Sequence, residues 1–278
     1  MSKIDFSNLQ APSKKRVDTT EIDDIFLNFL AKHKYADEVS ANIIYNRTEK
    51  KLWERMYKLI KYKLIRKKLA PINDIEFNEK IKQLNILSLD DSGCAYCHTT
   101  KLKKIGRAGI SLRHALYIRR LCAALEMIGF DNFDYQTEYI LNKFNNYLIN
   151  EFGNKHSIIY PSENTKISIR PDIYINKYEI ILEVELSIKN KKRYADRLFW
   201  TQYMHGVNKT IWFVEDEKKK ETLMTIFSEL ENYSYVYQKG FGPQLISPNA
   251  INKNPIWIID DFLENYKQNF VMLINLNI

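Results

Sequence analysis

A mixed α/β (α+β) chain is predicted, with an N-terminal winged helix-turn-helix followed by a mixed-sheet core flanked by helices. Closely spaced amphipathic helical patterns precede a very basic run, as a helix-turn-helix with a wing requires. Between residues 170 and 189 the pattern changes to a period of two, and acidic residues alternate with apolar ones.

At 278 residues the chain can hold a small module and a catalytic domain of ordinary size. The reading divides it into a flexible basic arm (1–19), a winged-helix DNA-binding region (20–108) and a core with a C-terminal extension (109–278). The arm carries Pro12, Lys14, Lys15 and Arg16 with little periodicity.

Ile22, Ile25, Phe26, Phe29 and Leu30 mark the first helix, and a second fits Ala36 to Tyr45. Trp53, Met56, Tyr57, Ile60 and Leu64 mark a third. Lys51, Arg55 and Lys58 lie away from its apolar stripe, and the basic run Lys61, Lys63, Arg66, Lys67 and Lys68 follows. A winged helix presents its recognition helix and first strand there, so these residues are candidate DNA contacts. Asp90-Asp91-Ser92-Gly93 is read as the turn of the wing, between strands Leu84 to Leu89 and Cys94 to Thr99.

A long helix is expected from a capping Ser111 to Met127, ended by Gly129, with Arg113, Tyr117 and Arg120 on its polar side and His114 adjacent; Arg113 and Arg120, with Arg170 further on, are also candidate DNA contacts. Another is expected over Gln136 to Phe152.

Arg170 to Leu186 reads as two strands. If Asn176-Lys177 is a two-residue hairpin turn, Ile175 faces Tyr178, Ile173 faces Ile180, and Asp172 faces Ile181. Ile173, Ile175, Tyr178, Ile180, Leu182, Val184 and Leu186 then share one face, and Asp172, Tyr174, Glu179, Glu183 and Glu185 the other. Asp172 and Glu183 become diagonal neighbours, with β-carbons roughly 7–8 Å apart. Carboxylates so placed repel one another unless a cation compensates, and a hard divalent ion such as Mg²⁺ or Mn²⁺ takes oxygen ligands. Held by Asp172 with Glu183 or Glu185, it would activate a water and neutralise charge on a phosphodiester. Lys189 would orient that water or steady the phosphate, and Lys191, Lys192, Arg193 and Arg197 open the next helix where a backbone can pass.

The 42 Lys and Arg outnumber the 34 Asp and Glu, a formal charge of +8 that favours a polyanionic partner. No run approaches the roughly 18 apolar residues of a membrane span, and Met1 to Arg16 has no apolar signal region, so a cytoplasmic protein is expected. An odd number of cysteines, 3, argues for a reducing compartment. Cys94, Cys97 and His98 spell a haem-attachment pattern, but without an export signal or a second ligand pair they are read as strand residues.

Pro171-Asp172, Glu183-x-Glu185 and Lys189 resemble the PD-(D/E)xK motif of restriction-endonuclease-like nucleases, with the lysine displaced along the chain. Arg170-Pro171-Asp172, Glu183-x-Glu185-Leu186-Ser187, Lys189 and Arg193-Tyr194 together resemble the MOBC group of plasmid relaxases and replication-relaxation proteins. That resemblance implies a winged helix before a restriction-endonuclease-like core, and nicking of double-stranded DNA at a transfer or replication origin, with other mobilisation proteins as further partners. Asp172, Glu183, Glu185 and Lys189 match its acidic and lysine positions, and its upstream histidine and arginine correspond to His114 and Arg119 or Arg120. The alternatives are a non-catalytic replication or mobilisation accessory factor and a restriction or repair nuclease, which the same core would serve.

Overall fold

The computed structural model describes residues 18–71, 83–100, 110–131, 134–137, 171–203, 208–231, 234–235, 244–245 and 254–275. The basic arm up to residue 17, Arg170 and residues 138–152 of the expected second core helix lie outside them.

Helix α1 (Glu21–His33) opens where Asp23 turns back to accept the Thr20 backbone N–H at 2.7 Å. A short strand β1 (Ala36–Asp37) replaces the first residues of the expected second helix, because Asp37 caps α2 (Glu38–Tyr45) by accepting the Ser40 N–H at 2.9 Å. Helix α3 (Glu49–Lys61) buries Leu52, Met56 and Leu59. Strands β2 (Ile65–Pro71) and β3 (Gln83–Leu89) follow as an antiparallel pair, and the small sheet has the order β1-β3-β2.

The hairpin therefore lies one element earlier than the sequence reading put it. Asp90 precedes a helix, α4 (Asp91–Tyr96), so Asp90 to Gly93 is a helix start and the C-x-x-C-H residues are no returning strand. Lys63 to Pro71 carries enough apolar alternation (Ile65, Leu69) to pair with β3, which satisfies that strand's edge and leaves Cys94 to be buried from a helix.

Helix α5 (Ile110–Met127) begins one residue before the expected capping Ser111 and ends as expected at Gly129, whose φ of 96° lies in the left-handed region. Beyond it β4 (Tyr135–Thr137) holds Gln136 and Thr137 in a strand where a helix is expected, because Tyr135 to Thr137 pairs with the edge of the main sheet.

That sheet is built from β4, β5 (Ile173–Ile175), β6 (Ile180–Val184), β7 (Lys209–Val214) and β10 (Ile256–Ile258), in the order β10-β7-β6-β5-β4. The pairs β4/β5 and β5/β6 are antiparallel; β6/β7 and β7/β10 are parallel. Two further short strands, β8 (Ser234–Tyr235) and β9 (Gln244–Leu245), pair separately. One face carries Ile173, Ile175, Ile180, Leu182, Val184, Ile211 and Phe213 into a large apolar cluster. That cluster also contains residues of α1, α2, α3 and α5, with Phe262 and Phe270 from helices α8 (Ile259–Glu264) and α9 (Tyr266–Asn275). The opposite face carries Tyr174, Ile181, Trp212 and Val214 against α6 (Lys191–Tyr203) and α7 (Glu217–Leu230). Strand β6 is buried along its whole length, as expected of a central strand covered on both faces. Among the described residues no helix is long and apolar enough to cross a membrane.

Candidate active site

The hairpin that carries the acidic residues turns differently from its expected geometry. Asn176 to Tyr178 forms one turn of 3-10 helix and Glu179 closes it with φ at 55°, so Ile175 pairs with Ile180, Tyr174 with Ile181 and Ile173 with Leu182. Lys177 has no glycine-like freedom to complete a two-residue turn, and a longer loop puts the left-handed residue at Glu179 instead. Tyr178 and Glu179 leave the ladder. The shift is by an even number of residues, so the face assignment of Asp172 and Glu183 survives while their relationship changes. Carried one step beyond Ile173, the register sets Asp172 across from Glu183 instead of diagonal to it.

Three elements converge on this point. Asp172 precedes β5 and is buried, and its Oδ2 accepts the Val184 N–H at 2.7 Å. His114, from the first turns of α5, sets its Nε2 at 3.1 Å from the same Oδ2 and at 2.9 Å from the Val184 carbonyl. A carbonyl can only accept, so Nε2 carries a hydrogen. Burial disfavours the imidazolium, but the hydrogen bond and charge of Asp172, the Val184 carbonyl and the Glu183 charge outweigh it and hold His114 above its ordinary pKa.

Glu183, on β6, points to the face covered by α6 and is met by Arg197 of that helix at 3.2 Å. Burial pushes its carboxyl up to about 8; Arg197 and His114 pull it down, and Asp172 and Glu185 push it further up. Glu185 lies just past the strand, its backbone N–H donated to the Phe213 carbonyl of β7 at 2.8 Å. Lys189 approaches Glu185 at 3.6 Å and donates to Ser187 Oγ, and its own N–H is donated to the hydroxyl of the buried Tyr194 at 2.9 Å. Asp172, Glu183, Glu185, Lys189 and His114, all chosen from sequence, thus gather at one end of β5 and β6.

No family model, curated protein or solved structure matches this chain. What the site can do rests on its own geometry.

The donor set suits a hard divalent cation, since Asp172, Glu183 and Glu185 are all buried oxygen donors, and the charges of Asp172 and Glu185 add to burial in raising the Glu183 carboxyl. Among the described residues, however, no three Asp, Glu, His or Cys side chains already converge in metal-ligand geometry. Arg197 on Glu183 and Lys189 beside Glu185 supply positive charge to these carboxylates.

The candidate DNA contacts divide into two groups. Lys51 and Lys58 on α3, Lys63 in the turn after it and Lys67 on β2 are exposed, as are Lys192 and Arg193 on α6. The Lys67 ammonium lies 5.0 Å from the Trp53 ring centre and 5.8 Å from that of Tyr57, which is 57% exposed, so aromatic and basic groups alternate on this face. Arg66 is partly covered and donates to Ser88 at 3.1 Å. Four arginines chosen with them turn to carboxylates instead. Arg55 is paired with the fully buried Asp23, Arg113 with Glu215, Arg120 with Asp37 at 2.8 Å, and Arg197 with Glu183.

Sequence reasoning missed the structural use of Arg197 and Tyr194. The signal was available: Tyr194 and Leu198 are four apart on the inward stripe of α6, and Arg197 is flanked by that stripe.

Proposed function

We propose that this chain is a metal-dependent DNA endonuclease that nicks one strand at a transfer or replication origin, a relaxase of the carboxylate type acting in the cytoplasm. The observation that carries the reading is the junction of Asp172 and Glu183 across the β5/β6 pair, with His114 on Asp172 and Lys189 beside Glu185. The order α5-β4-β5-β6-α6-β7 supports a restriction-endonuclease-like core, which places its acidic residues on such a hairpin. The order α1-β1-α2-α3-β2-β3, with sheet order β1-β3-β2, supports a winged helix, with α3 as recognition helix and β2/β3 as wing.

In this reading Asp172, Glu183 and Glu185 hold Mg²⁺ or Mn²⁺, which when bound supplies an activated nucleophile and charge neutralisation at the phosphodiester. The Val184 amide and His114 fix the Asp172 carboxylate through its Oδ2. Lys189, on the turn after β6, brings a point charge to the phosphate. Lys51, Lys58, Lys63 and Lys67 neutralise duplex phosphates away from the cut, and other mobilisation proteins complete the assembly.

The Arg197–Glu183 pair favours a second reading, in which the core is a relic and the chain is an accessory DNA-binding factor. A supercoiled-plasmid assay with Mg²⁺ or Mn²⁺, on DNA bearing the cognate origin, decides between them. Open-circle product from the wild type, lost in Asp172→Ala and Lys189→Ala, is the expected result. Origin binding without any cleavage would leave the accessory reading, and linear product would point to a restriction or repair nuclease.

A further inference from the structure

We propose that Arg197 is an internal counter-ion of Glu183 that gives way when a divalent cation binds, and that the displaced guanidinium then contacts the substrate phosphate. This rests on Asp172 and Glu183 being metal ligands.

The hydrogen-bond donors and cations around the site are divided among the carboxylates. Asp172 has the Val184 amide and His114, Glu185 has Lys189, and Glu183 has Arg197 at 3.2 Å. A guanidinium does not lose its proton in a protein, so Arg197 cannot be neutralised to make room. A divalent ion at Glu183 therefore competes with it for one buried carboxylate, and two positive groups so close, where water screens them little, repel strongly.

Arg197 has somewhere to go. Its side chain is 19% exposed while that of Glu183 is 10% exposed, so the ion pair opens to solvent on the arginine side. Arg193 stands one turn earlier on the same side of α6 and is exposed, with Lys192 beside it. Swung outward, Arg197 extends that basic stripe, where its planar fork matches two oxygens of a phosphate. Metal binding would then strengthen DNA binding, and DNA binding would strengthen metal binding by the same factor.

Mn²⁺ binding to the full chain, followed by the electron paramagnetic resonance signal of the free ion, tests this with wild type, Arg197→Gln, Asp172→Asn and Glu183→Gln, each with and without a short DNA duplex. Without DNA, Arg197→Gln should bind Mn²⁺ about tenfold more tightly than wild type, and the gain in Mn²⁺ affinity on adding duplex should shrink in the variant. Equal or weaker Mn²⁺ binding by Arg197→Gln overturns the proposal. Undiminished Mn²⁺ binding by both Asp172→Asn and Glu183→Gln overturns the metal site itself. A second measurement needs no destabilising change: the Nε–H resonance of Arg197 in the wild type, assigned with Arg197→Lys, followed through a Mg²⁺ titration. It should move in step with Mg²⁺ saturation, and a resonance that stays put means that the guanidinium never leaves Glu183.

Discussion

The Oδ2 atom of Asp172 accepts the backbone N–H of Val184 at 2.7 Å, which ties the residue entering β5 to the end of β6 and sets its carboxylate beside that of Glu183. His114 on the same oxygen makes α5 the third support of this junction.

Replacing His114 with Ala leaves Asp172 with its amide donor but frees the carboxylate to rotate. Orienting partners of metal ligands typically contribute 10–100-fold in affinity or activity. A loss of about that size in both nicking rate and Mn²⁺ affinity is expected, with the folded state retained in circular dichroism. Loss of nicking with Mn²⁺ affinity intact would instead make His114 a participant in the chemistry.

Glu183 gives the site a pH signature. Its carboxyl is raised by burial to about 8 in the folded chain even against the charge of Arg197, so without metal the folded state keeps a proton that the unfolded chain gives up above its ordinary range, and Arg197 is its counter-ion once that proton is lost. The contribution of this group to stability is therefore full at low pH and falls as pH rises through about 8. A cation needs the ionised form, so Mn²⁺ affinity should rise about tenfold per pH unit below that point, then level off. A flat affinity between pH 6 and 8 would show that Glu183 is no ligand.

The two groups of basic residues should respond differently. Arg55→Ala leaves the Asp23 carboxylate, which has no exposed surface, with the Thr20 and Tyr45 donors but without the arginine that pairs with it, and breaking a buried pair from one side costs about 3 kcal/mol in urea denaturation. Lys58→Ala and Lys67→Ala remove exposed groups and should change stability by less than about 0.5 kcal/mol. They should instead weaken DNA binding across sequences and reduce its salt dependence by about one phosphate each. Reversed effects would place the recognition surface elsewhere.

Gly93 lies where α4 passes the backbone of Leu64, and an added β-carbon would meet the Leu64 carbonyl oxygen. Gly93→Ala should destabilise the chain by about 1–3 kcal/mol through forced backbone movement, measured by thermal unfolding. Because Leu64 leads directly into β2, the variant should also weaken DNA binding; an unchanged melting temperature would contradict the close approach.

By itself the sequence determined the side-chain sorting of β5 and β6. Alternation has a period of two, so a turn of two residues and the observed longer one put Asp172 and Glu183 on the same face, and Gly129 marked the end of α5 for a reason as local. The tertiary structure decided what those patterns leave open. Which residue bends the chain at Glu179, and that Asp90 starts a helix, depend on what pairs with β3 and β6. The partners of the arginines depend on distance across the fold: Arg120 meets Asp37 from 83 residues away, and Arg113 of α5 meets Glu215, just past the end of β7. Periodicity fixes the side of a helix from which a guanidinium leaves; only the packing of that helix places a carboxylate in front of it.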